Sequence, residues 1–421
     1  MKLKKRISLI LVILIITNIL LSITTFAAEP TLDAGAALSV EISTGKIIYE
    51  KNAYKKMYPA STTKIMTALL VLENCKLTDL ATVSYSALAA VPDGYTIANL
   101  QVGEQISIED LLYALMLKSA NEAANVLAEH VAGTVESFSA MMNTRAAELG
   151  CKTTHFVNPN GVHDDEHYST AYDLYLIANE AMKNTTFRTI VATRTYTLPA
   201  TDKYPSRDRS FSNTNQLIHI NNNNRADNYY YKYAIGIKTG YTSEARNCLV
   251  SAASRDGLEF INVVLDAGLT DAGLSYRFLD SIELFDYAYD NYTLTKVKEA
   301  NSIIKTIEIP NGTKETKNLD LHIKDSITVV NNKSIDATTV LPEITLNENL
   351  LAPINKGDTV GKIKYTIDGM EYNSTLIAGS AVEERANISI YLIIAGLVLL
   401  IFATCIMPKK KKKSKKRKYR R

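Results

Sequence analysis

Three short motifs carry the chemistry this sequence could perform. The first is Ser61-Thr62-Thr63-Lys64. A serine hydroxyl is a poor nucleophile at neutral pH and needs a base beside it. On a helix, positions i and i+3 share a face, so the lysine amine can approach the hydroxyl. Lysine serves as that base once burial and a second cation depress its pKa. A helix N-terminus at the serine would also aim backbone N–H groups at a developing oxyanion. Alone the pattern is weak, because Ser43-x-x-Lys46 and Ser302-x-x-Lys305 repeat it in segments that read as β structure.

The second motif, Ser119-Ala120-Asn121, is the only Ser-x-Asn in the chain and falls between two predicted helices. Ser119 can relay a proton between nucleophile, base and leaving amine, and the Asn121 amide can hold a substrate carbonyl or Lys64. Taken singly, the same residues make a good helix N-cap. The third motif, Lys238-Thr239-Gly240, is also unique and ends a predicted strand. A lysine with a threonine hydroxyl can bind a carboxylate through charge-assisted hydrogen bonds. Gly240 admits a substrate backbone, and the N–H of Tyr241 is placed to be a second oxyanion donor. An isolated match of this kind is otherwise a strand running into a turn.

Other candidates are weaker. His163-Asp164-Asp165-Glu166-His167 lacks the H-E-x-x-H spacing and reads as a solvated polar loop rather than a metal site. Cys75, Cys151 and Cys248 are scattered, with no C-x-x-C, and are expected as free thiols. Tyr229-Tyr230-Tyr231 reads as strand-edge packing rather than a binding surface. No metal and no cofactor are expected.

These motifs need elements to hold them. Apolar residues alternate from Ala36 to Glu50 on both sides of Ser43-Thr44-Gly45-Lys46, which predicts a hairpin. Ile65, Leu69 and Leu72 are spaced for a helix over 61–74. Ser107-Ile108-Glu109-Asp110 resembles a capping box opening a helix through Leu117, and a second helix over about 121–132 stops at Gly133. Strands are predicted into Gly240, near Leu249–Ala253 and over Leu258–Leu265, with Asp256-Gly257 turning the last two. The order β, mostly α, then β implies an antiparallel sheet closed by the first and last segments around a helical insertion. Beyond Tyr292, alternating residues with Asn-Gly and Asp-Gly turns predict a small β-sandwich over 295–385.

The chain has 421 residues, 46% of them hydrophobic and 22% charged, so it is a folded protein with room for two domains. Its net charge of +3 averages unlike parts. Eleven Lys/Arg lie in Lys409–Arg421 and four in the first six residues; the remainder has 32 basic against 44 acidic side chains. A body that acidic excludes nucleic acid as the main partner. Residues 1–27 read as a signal peptide, with a basic start, an apolar run and Thr25-Phe26-Ala27 before the cleavage point. Residues 388–407 are uncharged and long enough for a transmembrane helix, and the basic run 408–421 belongs on the cytoplasmic side. The expected domains are therefore 28–290 and 295–385, outside the cell and tethered to its membrane.

Ser-x-x-Lys, Ser-x-Asn and Lys-Thr-Gly, in that order on helix, interhelical loop and strand, resemble the penicillin-recognising serine enzymes. Tyr58-Pro59-Ala60-Ser61-Thr62-Thr63-Lys64-Ile65-Met66-Thr67 resembles the active-site segment of low-molecular-mass penicillin-binding proteins. So do Asn158-Pro159-Asn160-Gly161, His167-Tyr168-Ser169-Thr170-Ala171-Tyr172-Asp173 and Asn213-Thr214-Asn215. Ala352-Pro353-Ile354-Asn355-Lys356-Gly357-Asp358, with Val360-Gly361, resembles the C-terminal β domain of the same proteins. The family is the serine-type D-alanyl-D-alanine carboxypeptidases, and the likeness covers about residues 33–385.

The resemblance implies an α+β, β-lactamase/transpeptidase-like domain followed by the β domain. It implies that Ser61 forms an acyl-enzyme with the penultimate D-alanine of a peptidoglycan stem peptide, with Lys64 as base and Ser119 assisting proton transfer. Asn121, Lys238, Thr239, Gly240 and Tyr241 would bind substrate, and β-lactams would acylate the same serine. Trimming of this kind would limit wall crosslinking. Relatives usually carry Gly where Arg246 stands, which bears on the local turn, and many end in an amphipathic helix rather than a span. The alternatives are a serine β-lactamase, for which no class A glutamate loop is evident, a DD-transpeptidase, and a non-catalytic wall-binding or β-lactam-sensing protein.

Overall fold

The computed structural model describes residues 28–206, 208–220, 229–386 and 388–406, with side chains at 388–390 and 404 outside that description. The expected signal peptide and basic tail lie outside the described residues. The chain forms two compact units. One runs to Leu294 and takes back Val330–Ile335; the other holds Thr295–Val329 and everything from Asp336 onward.

In the first unit the alternation around Ser43–Lys46 produces an antiparallel hairpin, β1 (Ala36–Glu41) with β2 (Lys46–Lys51). The Glu41 carboxylate ties its turn, accepting from Ser43 Oγ at 2.8 Å and Thr44 Oγ1 at 2.6 Å. That Ser-x-x-Lys match is therefore turn chemistry. A 3₁₀ turn, Ala60–Thr63, leads into α1 (Lys64–Asn74), which buries Ile65 and Leu69. Next come β3 (Leu80–Thr82), α2 (Tyr85–Ala89) and β4 (Gln105–Ser107), with β3 and β4 paired. Ser107 caps α3 (Ile108–Tyr113) by accepting the Asp110 N–H at 3.1 Å. The helix does not continue regularly to Leu117. It widens into a π turn over Ala114–Lys118 and ends at Ser119 in the left-handed conformation, φ 66°. Then α4 (Asn121–Ala132) runs to Gly133, φ 81°.

Helices α5 (Val135–Glu148), α6 (Ala171–Met182) and α7 (Thr185–Ala192) complete the insertion, and β5 (Thr195–Thr197) pairs with β6 (Ser210–Ser212). Strands β7 (Ala234–Thr242), β8 (Arg246–Arg255) and β9 (Leu258–Ala267) precede α8 (Tyr276–Asn291). The sheet order β2-β1-β9-β8-β7 is antiparallel throughout, so the first hairpin closes on the last one. Asp256 and Gly257 both have positive φ, 54° and 83°, as a two-residue hairpin turn with the strands' own twist requires. One face of the sheet packs Leu38, Val250 and Ile261 against the helical insertion. The other packs Leu258 and Phe260 against Phe278, Phe285 and Tyr289 of α8. Tyr229 is buried in that second cluster, and Tyr231 stacks on Phe285 at 5.3 Å, so these tyrosines are packing groups.

The second unit begins within β10 (Tyr292–Lys298). Strands β11 (Ile303–Glu308), β12 (Asn318–Ile323), β13 (Ile327–Asn332), β14 (Glu343–Leu346), β15 (Thr359–Ile367) and β16 (Met370–Ala378) follow. Where a small β-sandwich is expected over 295–385, the strands form one five-stranded sheet, β11-β12-β16-β15-β14, and a two-stranded pair, β10 with β13. The second Ser-x-x-Lys decoy enters β11 of this sheet. A final helix, α9 (Ile388–Ile406), has no charged residue. Among the described residues no helix is long and apolar enough to cross a membrane.

One ion pair is wholly enclosed. Glu104 accepts from Arg209 at 2.6 and 3.1 Å and from Thr201 Oγ1 at 2.7 Å, and neither charged side chain is more than 2% exposed. Removing one partner of such a pair strands the other charge in the interior. Glu104→Gln is expected to cost about 3–5 kcal/mol in denaturant unfolding. The double change Glu104→Met with Arg209→Leu should recover most of that loss.

Candidate active site

Ser61 lies in the 3₁₀ turn, three residues ahead of the first residue of α1, not within the α-helix the spacing predicts. The consequence for reach is favourable, because side chains at i and i+3 eclipse in a 3₁₀ turn. Lys64 Nζ stands 3.0 Å from Ser61 Oγ. The turn is held tightly: Thr62 N–H and Oγ1 both donate to Pro59 O, at 3.2 and 2.7 Å, and Ala60 has φ 47°. A Cβ on Gly161, itself at φ 78°, would sit 2.0 Å from Ala60 O, and one on Gly240 would sit 3.1 Å from Ser61 N. Backbone packs against the Ser61 turn from two sides: at Gly161 any side chain would collide with Ala60 O, and at Gly240 one would be tight.

Lys64 is fully buried. Besides Ser61 its amine donates to Asn121 Oδ1 at 2.9 Å and to the backbone carbonyl of Asn160. Burial first, and then the Lys238 charge, hold its pKa well below the ordinary lysine value, while Glu122 acts in the opposite sense. A neutral amine this close to a hydroxyl can take its proton. The neighbouring Thr63 is fixed from behind. His167 Nδ1 accepts the Val157 N–H at 3.2 Å, so Nε2 carries the proton and donates to Thr63 Oγ1 at 2.8 Å. Burial lowers the His167 pKa to about 3. The polar run expected as a solvated loop is thus exposed at Asp164–Glu166 but ends in a buried structural histidine. Among the described residues no group of His, Cys, Asp and Glu could hold a metal ion.

Ser119 is not the cap of α4; that position is Ala120, whose side chain has nothing to cap with. The left-handed turn at Ser119 instead delivers its side chain to the cavity that holds Ser61. Asn121 gives its oxygen to Lys64 and its nitrogen to Thr96 O at 2.9 Å, while its backbone N–H donates to the same carbonyl at 3.0 Å. Of the two roles open to this amide in the sequence, the geometry favours holding Lys64 over holding a substrate carbonyl.

Lys238 and Thr239 are buried in β7, and Tyr241 is 62% exposed beside them. Lys238 Nζ donates to Thr239 O at 3.0 Å, and Thr239 Oγ1 lies 2.6 Å from Thr214 Oγ1. Burial and the charge of Arg277 push the Lys238 pKa down to about 7. Arg277, on α8, donates to Gly240 O at 3.1 Å. The sequence motifs gave no sign of it, since it is 37 residues from Gly240 and belongs to no local pattern. At the turn where relatives are expected to carry glycine, Arg246 takes φ 53° and pairs with Asp266 at 3.0 Å.

Of these groups, Ser61, Ser119, Asn121, Gly161 and Tyr241 line a cavity of about 350 Å³, and Lys64, Lys238, Thr239 and Gly240 do not. Ser61, Ser119, Asn121 and Gly161 line its base, and a rim segment, Asp93–Thr96, and Tyr241–Ser243 complete it. Nucleophile, buried amine, a relay hydroxyl and a cationic strand end with an arginine behind it suit acyl transfer to and from a peptide ending in a carboxylate.

Residues 23–268 match the family model described as D-alanyl-D-alanine carboxypeptidase. The chain belongs to that family. Residues 292–384 match the penicillin-binding protein 5 C-terminal domain. Among curated relatives of this carboxypeptidase family, the D-alanyl-D-alanine carboxypeptidase DacF of Bacillus subtilis is 31% identical over 86% of this chain and 88% of its own length. The D-alanyl-D-alanine carboxypeptidase of Streptomyces sp. strain K15 is 36% identical over 63% of this chain and 90% of its own. Its crystal structure, titled as a DD-transpeptidase, superposes with a TM-score of 0.55, covering 62% of this chain and 99% of that one. Penicillin-binding protein 5 from Haemophilus influenzae superposes with a TM-score of 0.64 at 27% identity, covering 85% of this chain and all of that one.

The carboxypeptidase cleft has a built-in pH dependence. The Lys238 charge is lost as pH rises through about 7, so binding of a substrate carboxylate should weaken above that pH. KM for a carboxylate-terminated peptide is expected to rise between pH 7 and 9 in the native chain. In Lys238→Arg, where the cation persists, that rise should flatten in the same steady-state titration.

Proposed function

We propose that this chain is a membrane-anchored serine D-alanyl-D-alanine carboxypeptidase that trims peptidoglycan stem peptides outside the cell. The observation that carries the reading is the fully buried Lys64 amine 3.0 Å from Ser61 Oγ. Ser61 Oγ attacks the carbonyl carbon of the penultimate D-alanine while Lys64 Nζ takes the hydroxyl proton. The N–H groups of Ser61 and Tyr241 receive the oxyanion. Lys64 Nζ gives that proton to Ser119 as Ser119 passes its own to the departing amine, the peptide C–N bond breaks, terminal D-alanine leaves, and Lys64 is neutral again. Water, deprotonated by Lys64, then attacks the ester and frees Ser61. Lys238, Thr239 and Arg277 hold the substrate carboxylate, and Asn121 positions Lys64. A β-lactam enters by the same first step, its ring amide standing for the peptide bond.

The anchoring rests on the sequence: an uncharged helix of 19 residues, about 28 Å long, followed by the basic run to Arg421, with a signal-like start at the other end. The transpeptidase title of one relative's structure supports a second reading, in which an amine replaces water as the acyl acceptor.

Incubation of the full-length chain with diacetyl-Lys-D-Ala-D-Ala should release D-alanine. Ser61→Ala should lose more than about a thousandfold of that rate. Penicillin labelling of Ser61 without peptide hydrolysis, even when an amine acceptor is supplied, would point to the sensor reading and sink this one.

A further inference from the structure

The cavity around Ser61 has one charged lining residue among the described residues, Asp93 on the rim. Asp93 sits in a turn closed by the Tyr95 N–H donating to Pro92 O at 3.3 Å, with Gly94 at φ 84° supplying the positive φ that such turns need at their third position. The carboxylate is exposed, and among the described residues no cation pairs with it. Its mounting is firm nonetheless. Thr96 O takes both N–H groups of Asn121, and the Ala98 N–H donates to the buried Glu122 carboxylate at 2.6 Å. The two residues that open α4 therefore fix the rim and, through Asn121, the base.

The cleft is consequently polarised. Lys238, buried in β7, and Arg277, which donates to Gly240 O, place positive charge behind the Tyr241 side of the cavity without lining it; the rim supplies a single negative one. A peptide whose C-terminal carboxylate goes to Lys238 and whose next carbonyl goes to Ser61 must lead its preceding residue through the rest of the cavity. The side chain that matches this polarity ends in a primary ammonium.

We propose that Asp93 is a specificity-determining residue, its carboxylate receiving the side-chain ammonium of a diamino acid that precedes D-Ala-D-Ala in the substrate. This rests on the carboxypeptidase reading above. The contact is ionic and partly exposed, so its effect on kcat/KM should be about three- to tenfold and should shrink with added salt.

Two peptides separate the contribution: Nα-acetyl-Lys-D-Ala-D-Ala, with its ε-ammonium free, and the Nα,Nε-diacetyl form, which lacks that charge. The full-length chain is expected to favour the free-amine peptide, more so at 50 mM than at 500 mM salt. Asp93→Asn should bring the ratio of the two kcat/KM values close to one, and Asp93→Lys should invert it. A ratio cancels any general loss of activity, so a fold defect cannot imitate the result. Cleavage of both peptides with no amine preference, or a preference that survives in Asp93→Asn, overturns this inference and leaves the carboxypeptidase reading standing. Failure to cleave either peptide removes both.

Discussion

The buried amine of Lys64 is the interaction around which the first unit is organised. Taking a lysine head group wholly out of water is costly unless it sheds its charge or finds acceptors. Among the described residues it has three oxygens and no carboxylate in hydrogen-bonding contact: Ser61 Oγ, Asn121 Oδ1 and the Asn160 carbonyl. Burial and the nearby Lys238 charge, which neutral acceptors do not offset as a carboxylate would, favour the uncharged form, the form able to accept a proton. A carboxylate in place of Asn121 would stabilise the ammonium and remove the base. Each acceptor comes from a different part of the chain, so helix α1, helix α4 and the loop at 158–161 must all be in place before any of them is useful.

Local backbone is bent to meet that demand. Ala60 and Ser119 both carry positive φ without being glycine, a conformation that costs an L-residue about 1–2 kcal/mol. Ala60 precedes Ser61 and Ser119 ends the π turn, and both serines line the same cavity. Packing offsets the cost: Gly161 and Gly240 let two other backbones press directly on the 3₁₀ turn. Arg246 shows the same tolerance farther out, where an ion pair with Asp266 accompanies a conformation that glycine would adopt freely.

Much of this was legible in the sequence because it is written in local side-chain patterns. The hairpin at Ser43–Lys46, the bounds of α4 and the Asp256-Gly257 turn all follow from spacing and turn chemistry. Of the residues the motifs singled out, Ser61, Ser119, Asn121 and Tyr241 line one cavity, while Lys64 reaches it through its contacts with Ser61 and Asn121. What escaped has a common cause. The Asn160 carbonyl is backbone and leaves no side-chain signature. Arg277 reaches Gly240 only through tertiary packing of α8. His167 closes a run of polar residues that looks solvated, yet Thr63 and Val157 hold it in the interior. The π turn over Ala114–Lys118 has no turn residue to announce it. In the second unit the alternation correctly gave strands, but alternation states which face is buried and not how many strands share a sheet.

The return of Val330–Ile335 to the first unit has a consequence for how the protein comes into being. Val330 packs in the cluster with Phe260 and Tyr289, and Lys333 bonds to the carbonyls of Asn291 and Tyr289 at 2.7 and 2.8 Å. A chain that emerges from its N-terminal end presents residues up to Leu294 first, with that cluster still open at one side. The first unit is complete only after part of the second has been made. Its folding is therefore closed by a segment made late, and the boundary that looks like a seam in the sequence is, in assembly, a stitch.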